Sequence, residues 1–306
     1  MQLNLNQRGA VFMVVSQAAF MANDTLVKLA TGNLGIAQIM FVRGIFASAL
    51  VALLVWRTRQ FRPLSTLTRP AVALRILGEI GGTLTYLIAL ANMPIANVQA
   101  VFQALPLAIT MTAALFLGEQ VGYRRWSAIA LGFVGVLIIV RPGMEGFNAY
   151  VLWVLASVAF CTVRDLATRR IPQDVPSGFV SMLTAMAIML CGGVMLAGGA
   201  EWRPLTPVLL ATLAGAALMV LTGYQFIILS MRSGDISFVA PFRYTALIWA
   251  ILSGIFVFGN MPDMPMLVGA AIVVASGIYS LYRERVAGRS KPIAESTVRP
   301  VASDGL

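Results

Sequence analysis

Ser16-Gln17-Ala18-Ala19-Phe20, followed by Asn23-Asp24, returns later in the chain as Ala156-Ser157-Val158-Ala159-Phe160, followed by Arg164-Asp165. Each copy lies in an apolar run of membrane-spanning length, and the offset between them is about 140 residues. The same offset sets Ala100-Val101-Phe102-Gln103 over Ala240-Pro241-Phe242-Arg243, and Tyr86 over Phe226. A bilayer core about 30 Å thick requires roughly 20 apolar residues per helix. Outward from the repeat, ten such runs are read near residues 11–30, 34–56, 72–92, 95–117, 125–141, 147–168, 177–198, 206–230, 236–259 and 264–282. Their connections carry turn signals, among them Thr31-Gly32-Asn33, Asn92-Met93-Pro94, Arg141-Pro142-Gly143 and Ser233-Gly234-Asp235. Because each copy holds an odd number of spans, the second enters the membrane from the opposite side. The expected fold is an all-α integral membrane protein of ten transmembrane helices, built as two inverted five-helix repeats over 1–143 and 144–283. A polar stretch over 284–306 has too little apolar surface to fold alone and is expected to be a mobile tail.

Composition agrees with a lipid solvent, since 59% of the 306 residues are hydrophobic and only 11% are charged. The net charge of +10 sits in short clusters between apolar runs rather than along one polar face, which speaks against nucleic acid as a partner. No histidine occurs, so Ser-His nucleophiles, His-ligated metals and histidine proton relays are all excluded. Cys161 and Cys191 lie inside apolar runs and read as small hydrophobes rather than as a disulfide framework. Neither a cofactor nor a metal is expected. A single Arg8 precedes the first run and no small-residue cleavage pattern follows it, so that run reads as retained.

Orientation follows from Lys and Arg. With the N-terminus inside, one face collects Arg8, the group Arg57 to Arg75, Arg124 and Arg125, the group Arg164 to Arg170, Arg232 and the basic residues from Arg283 onward. That is most of the 22 basic residues, whereas the other face has Lys28, Arg141 and Arg203. Both termini are therefore expected to be cytoplasmic, in a bacterial inner membrane.

The block Phe116-Leu117-Gly118-Glu119, Trp126, Gly132-Phe133-Val134-Gly135-Val136 and Arg141-Pro142-Gly143 resembles the drug/metabolite transporter superfamily, in its EamA family of ten-span carriers. The second half keeps a looser version in Phe256-Val257-Phe258-Gly259 and Gly269-Ala270-Ala271. It departs where Asn260 replaces the usual acidic residue and where no Arg-Pro-Gly follows the last span. Gln38-Ile39-Met40-Phe41-Val42-Arg43-Gly44, Gly78-Glu79-Ile80-Gly81-Gly82 and Pro241-Phe242-Arg243-Tyr244 resemble a bacterial branch that includes riboflavin transporters. The resemblance implies carriage of a small metabolite.

Ionisable residues within spans are costly and usually face the bundle interior or water. Arg43, Glu79 and Arg243 are the candidates for a central cavity, with the alternative that Arg43 and Glu79 pair and lock two helices. Arg243 is the stronger candidate for cargo contact because its repeat mate, Gln103, is also polar. Gln99, Gln103 and Pro106 share one helical face, and the proline is expected to kink the fourth span. Tyr86, Tyr224 and Tyr244, with Thr83, Gln225 and Trp249, add aromatic and hydrogen-bonding groups suited to a planar, polar-edged heterocycle. Asp24 and Asp165 are counterparts near opposite mouths and are candidate gates, pairing with Lys28, Arg164 or Arg169, or else are solvated helix ends. Small residues around Gly132, Gly135, Gly269 and Gly277 suit packing of the fifth span on the tenth, or a homodimer contact.

No G-x-x-x-x-G-K loop is present, so ATP hydrolysis is not the expected energy source. The expected function is secondary transport by alternating access, with riboflavin uptake as the most specific reading and export of amino acids or related metabolites as the alternative. An intramembrane enzyme is disfavoured by the missing histidine and by the lack of a paired-aspartate or Ser-Lys constellation at membrane depth.

Overall fold

The computed structural model describes residues 4–119, 121–143, 147–172, 174–233 and 236–286; the expected tail from residue 287 onward, and the Gly234-Asp235 turn, lie outside them. The described residues are helical throughout the apolar runs and contain no strand. This is what lipid dictates, because a backbone without water must satisfy its own N–H and C=O groups. Ten helices are long and apolar enough to cross a membrane: Leu5–Thr31, Ile36–Arg57, Pro70–Asn92, Ile95–Phe116, Tyr123–Val140, Val151–Arg169, Ser177–Ala197, Pro207–Ser233, Ala240–Phe258 and Met264–Arg283. The main departures from the sequence reading are at helix starts. The first helix begins at Leu5, below the apolar run, because the Asn4 carboxamide accepts from the Gln7 amide at 2.8 Å and the Gln7 side chain accepts from the Asn4 amide at 3.0 Å. That reciprocal cap satisfies two N-terminal amides and so lets the helix start ahead of the apolar run.

Neighbours in sequence are mostly not neighbours in space. The first span packs along the eighth, the third along the sixth, the second along the seventh, the fifth along the tenth, and the fourth against the ninth. Exchanging the first five spans for the last five leaves this set of partners unchanged.

The crossings are made by small residues and buried hydroxyls. Ser16 Oγ donates to the Gly223 carbonyl at 2.8 Å, joining the first span to the eighth, and Ser157 Oγ donates to the Gly82 carbonyl at 2.9 Å, joining the sixth to the third. A Cβ at Gly223 would meet the Phe20 ring at 2.8 Å, and one at Gly82 would meet Cys161 Sγ at 2.8 Å. Both positions therefore use the missing side chain for close approach, and each hydroxyl bond adds about 1 kcal/mol. The fifth and tenth spans touch through Gly135 and Gly269, where a Cβ on either would come within 2.8 Å of the other's carbonyl oxygen. The small surfaces considered for a dimer are thus consumed within the chain. Leu77, Phe116, Val194, Val208 and Phe256 point outward, as lipid-facing side chains do. The fourth span is the most enclosed, with 67% of its most apolar stretch buried against 28% in the third, eighth and ninth. It is therefore the span best placed to carry an interior site.

Candidate functional site

The two spans that meet at the centre are both broken. In the fourth, one helix runs Ile95–Phe102 and a second runs Leu105–Phe116, with Gln103 and Ala104 at the joint. Pro106 has no N–H to offer the carbonyl four residues back, so the ladder fails at Phe102. The ninth span opens with a 3-10 stretch, Ala240–Tyr244, containing Pro241, before regular helix resumes at Thr245. Gln103 and Arg243, paired by the sequence repeat, sit at these two interruptions. The kink expected from Pro106 is present as a break three residues ahead of the proline.

A cavity of about 80 Å³ lies between the broken spans, lined by Gln17, Gln99, Gln103, Pro106, Arg243 and Tyr244, among others. Gln17 was not singled out as a site residue from sequence; its signal, an amide in an apolar run and inside the quoted repeat motif, was available. Gln17, Gln99, Gln103 and Tyr244 are all buried. Gln103 Nε2 and Tyr244 Oη have no hydrogen-bond partner among the described residues. The Tyr244 hydroxyl lies against Gly277 of the tenth span, where a Cβ would fall 1.8 Å from it, so only glycine leaves this ring its place. The lining thus combines a guanidinium, three carboxamides and a phenol, and none of its side chains is a carboxylate.

A second polar group joins the cavity through Gln99. Asp24 Oδ2 accepts from Tyr86 Oη at 2.7 Å and Asp24 Oδ1 accepts from Asn23 Nδ2 at 2.8 Å, while Tyr86 Oη lies 3.4 Å from Gln99 Oε1. Arg43 Nη1 donates to Asn23 Oδ1 at 3.1 Å, and its charge interacts with Asp24. Four spans therefore converge through Asn23, Asp24, Arg43, Tyr86 and Gln99. Thr25 and Ser253 hydroxyls, 2.6 Å apart, tie the first span to the ninth nearby.

A third group corrects the pairing considered from sequence. Glu79 does not bond Arg43; its carboxylate lies 3.4 Å from Arg164 Nη1, whose Nε donates to Asp165 Oδ1 at 2.7 Å. The reason is topological: the third span packs along the sixth, which brings Glu79 to Arg164, whereas Arg43 lies on a span packed mainly against the seventh and eighth. Arg75 Nη1 donates to Thr168 Oγ1 at 2.9 Å on the same helix pair. Glu79 is therefore not on the cavity lining. Nor is Tyr224, whose ring stands edge-on to Phe20 at 5.2 Å.

The two aspartates behave differently from each other. Asp165 takes Arg164 as expected, but Asp24 does not take Lys28. Lys28 Nζ instead donates to the Leu90 and Met93 carbonyls at 2.6 and 2.7 Å, capping the negative end of the third span's helix. Arg169 is held by Glu119 at 3.0 Å rather than by Asp165. Neither aspartate is a solvated helix end. Among the described residues, no group of three His, Cys, Asp or Glu side chains is placed to hold a metal ion.

Ten lipid-length helices around a polar cavity at paired helix breaks define a multi-pass membrane transporter of a small metabolite. Residues 7–141 match the EamA-like transporter family. The chain is 28% identical to the S-adenosylmethionine uptake transporter of Rickettsia bellii, over 92% of this chain and 96% of the relative. It is also 28% identical to the riboflavin transporter of Vibrio cholerae, over 88% of this chain and 91% of the relative. A crystal structure of a protein 18% identical in sequence superposes with a TM-score of 0.61 over 90% of this chain and 98% of its own, a likeness of fold. Both named relatives are transporters.

Proposed function

We propose that the chain is a secondary carrier of the bacterial inner membrane that takes up riboflavin by alternating access. Residues 1–143 and 144–283 act as inverted halves, with both termini on the cytoplasmic side. The exchange-invariant partner set supports this, as do the breaks at Gln103 and Arg243, because discontinuous helices at corresponding places in two halves mark the binding site of such carriers.

The single observation that carries the reading is the cavity at those breaks, where the Gln103 amide and the Tyr244 hydroxyl hold unspent donor capacity beside Arg243. A buried donor without a partner costs about 1–3 kcal/mol, so the site favours a cargo that presents acceptors. The carbonyl-bearing edge of a flavin ring does so. At about 80 Å³ the cavity is smaller than the roughly 300 Å³ or more that encloses a drug-sized ligand. Cargo therefore enters by separating the halves, as rocking requires.

S-adenosylmethionine is the second reading, favoured by the long match to a relative of that name. Its net positive charge fits poorly beside Arg243 in a lining that offers no carboxylate side chain. Quenching of flavin fluorescence by the purified protein in detergent tests the choice. Saturable quenching that excess S-adenosylmethionine does not relieve is expected; displacement by S-adenosylmethionine, or no quenching by a folded sample, refutes the riboflavin reading.

A further inference from the structure

The register of the two halves is sharper in space than in sequence. At an offset of 141, Ser16 falls on Ser157 and Gly82 on Gly223, and these four residues make the two equivalent serine-to-carbonyl bonds at 2.8 and 2.9 Å. The same offset carries Asn23 to Arg164 and Asp24 to Asp165. In both places the first residue of the pair donates from its side chain to Oδ1 of the aspartate beside it, at 2.8 and 2.7 Å. The equivalence ends at the other carboxylate oxygen. Asp24 Oδ2 accepts from Tyr86 across to the third span, whereas Asp165 Oδ2 is buried, in a residue 1% exposed, with no partner among the described residues.

An orphaned carboxylate oxygen at membrane depth is costly to keep, so the chain must have a use for it. The mate of Tyr86 at this offset is Ile227, which has nothing to donate. One turn earlier on the same face of the eighth span stands Tyr224, three residues away. Its ring stands edge-on to Phe20 of the first span, and its side chain is exposed rather than packed in, which leaves the hydroxyl room to turn.

We infer that Tyr224 and Asp165 form a second latch, the counterpart of Tyr86 and Asp24, and that the two latches alternate. In the structure the Tyr86–Asp24 latch is made and the other is open. When the halves rock, Tyr86 leaves Asp24 and the Tyr224 hydroxyl swings onto Asp165 Oδ2, closing the opposite mouth. Each state thereby spends one tyrosine–carboxylate bond and leaves one aspartate oxygen waiting. The inference rests on reading the halves as a repeat and is independent of which cargo is carried.

The test needs no cargo. In a Cys161→Ala, Cys191→Ala background, Gln17→Cys places a thiol on the cavity wall, and its labelling by a membrane-impermeant maleimide is compared from the two faces in right-side-out and inverted vesicles. Tyr86→Phe removes one latch and Tyr224→Phe the other, while both keep the ring. Losing a hydrogen bond to a charged group predicts a change of roughly tenfold in the ratio of labelling between faces, in opposite directions for the two variants. Asp165→Asn, which weakens the second latch without touching Tyr224, is expected to move the ratio as Tyr224→Phe does. Shifts in the same direction, or a ratio unmoved by Tyr224→Phe and Asp165→Asn in well-inserted protein, overturn the latch. Riboflavin binding that fails while these ratios move oppositely refutes only the choice of cargo.

Discussion

Replacing Arg164 with methionine keeps most of the side chain's apolar stem and removes the charge shared by Glu79 and Asp165. The three groups are well enclosed, with side chains 18%, 14% and 1% exposed for Arg164, Glu79 and Asp165. In the variant Asp165 loses its cation at 2.7 Å and, with Oδ2 already unpartnered, has no bond left on either oxygen among the described residues. Breaking a buried pair by removing one partner costs about 3–5 kcal/mol, and leaving an acid at membrane depth alone accounts for about 3. The folded-to-unfolded ratio should fall by roughly 200- to 5,000-fold, and thermal unfolding in detergent should move down by on the order of 10 °C. Adding Asp165→Asn and Glu79→Gln should recover most of the loss, because the stranded charges disappear with their partner. A double-mutant cycle sharpens the test: Glu79→Gln should couple to Arg164→Met by about 1–3 kcal/mol and to Arg43→Met by less than about 0.5. An Arg164→Met protein as stable as the parent, or stronger coupling of Glu79 to Arg43, refutes the assignment.

Other outcomes follow from the same contacts. Gly277→Ala should destabilise by about 1–3 kcal/mol through overpacking against the Tyr244 hydroxyl, and Tyr244→Phe should relieve part of that in the double variant, as read by thermal unfolding. Arg243→Ala should weaken flavin binding by about 10- to 100-fold while membrane abundance stays at the parent level; loss of the protein would make Arg243 a structural residue. At Asp263, in the loop before the tenth span, partial burial pushes the carboxyl up, but the Arg141 guanidinium and the Met266 amide outweigh it and hold the group below its ordinary 3.8. A depressed folded value contributes stability that is present above the unfolded value and lost as pH falls through the folded one. Asp263→Asn should therefore flatten the stability profile below about pH 4 and leave its shape near neutrality unchanged, as followed by unfolding across pH.

The ten spans were legible because lipid imposes a length and an apolar composition that little else in a chain imitates, so Ser177–Ala197 is found within a residue of its reading. That Gln103 and Arg243 line a cavity was legible for a related reason: a polar residue inside an apolar run is expensive and turns inward. The partners of the charges were not legible. Arg43, Glu79 and Arg164 all lie within spans, and which of them meet depends on the third span lying along the sixth, a long-range adjacency that chain order conceals. Lys28 misled for a different reason. The nearest carboxylate in sequence is Asp24, but the carbonyls at the end of a neighbouring helix form an equally good acceptor that no side-chain pattern announces. Asn23 and Gln17 were passed over because an isolated amide in an apolar run draws less notice than a charge, although Asn23 is what holds Arg43.

Uptake of labelled riboflavin by bacteria unable to make the vitamin, with and without this chain, bears most directly on the central claim. Accumulation that requires the intact chain, and that Arg243→Ala abolishes at equal membrane abundance, is the predicted result. No accumulation above the empty cells, with the chain present in the membrane at good level, would contradict it.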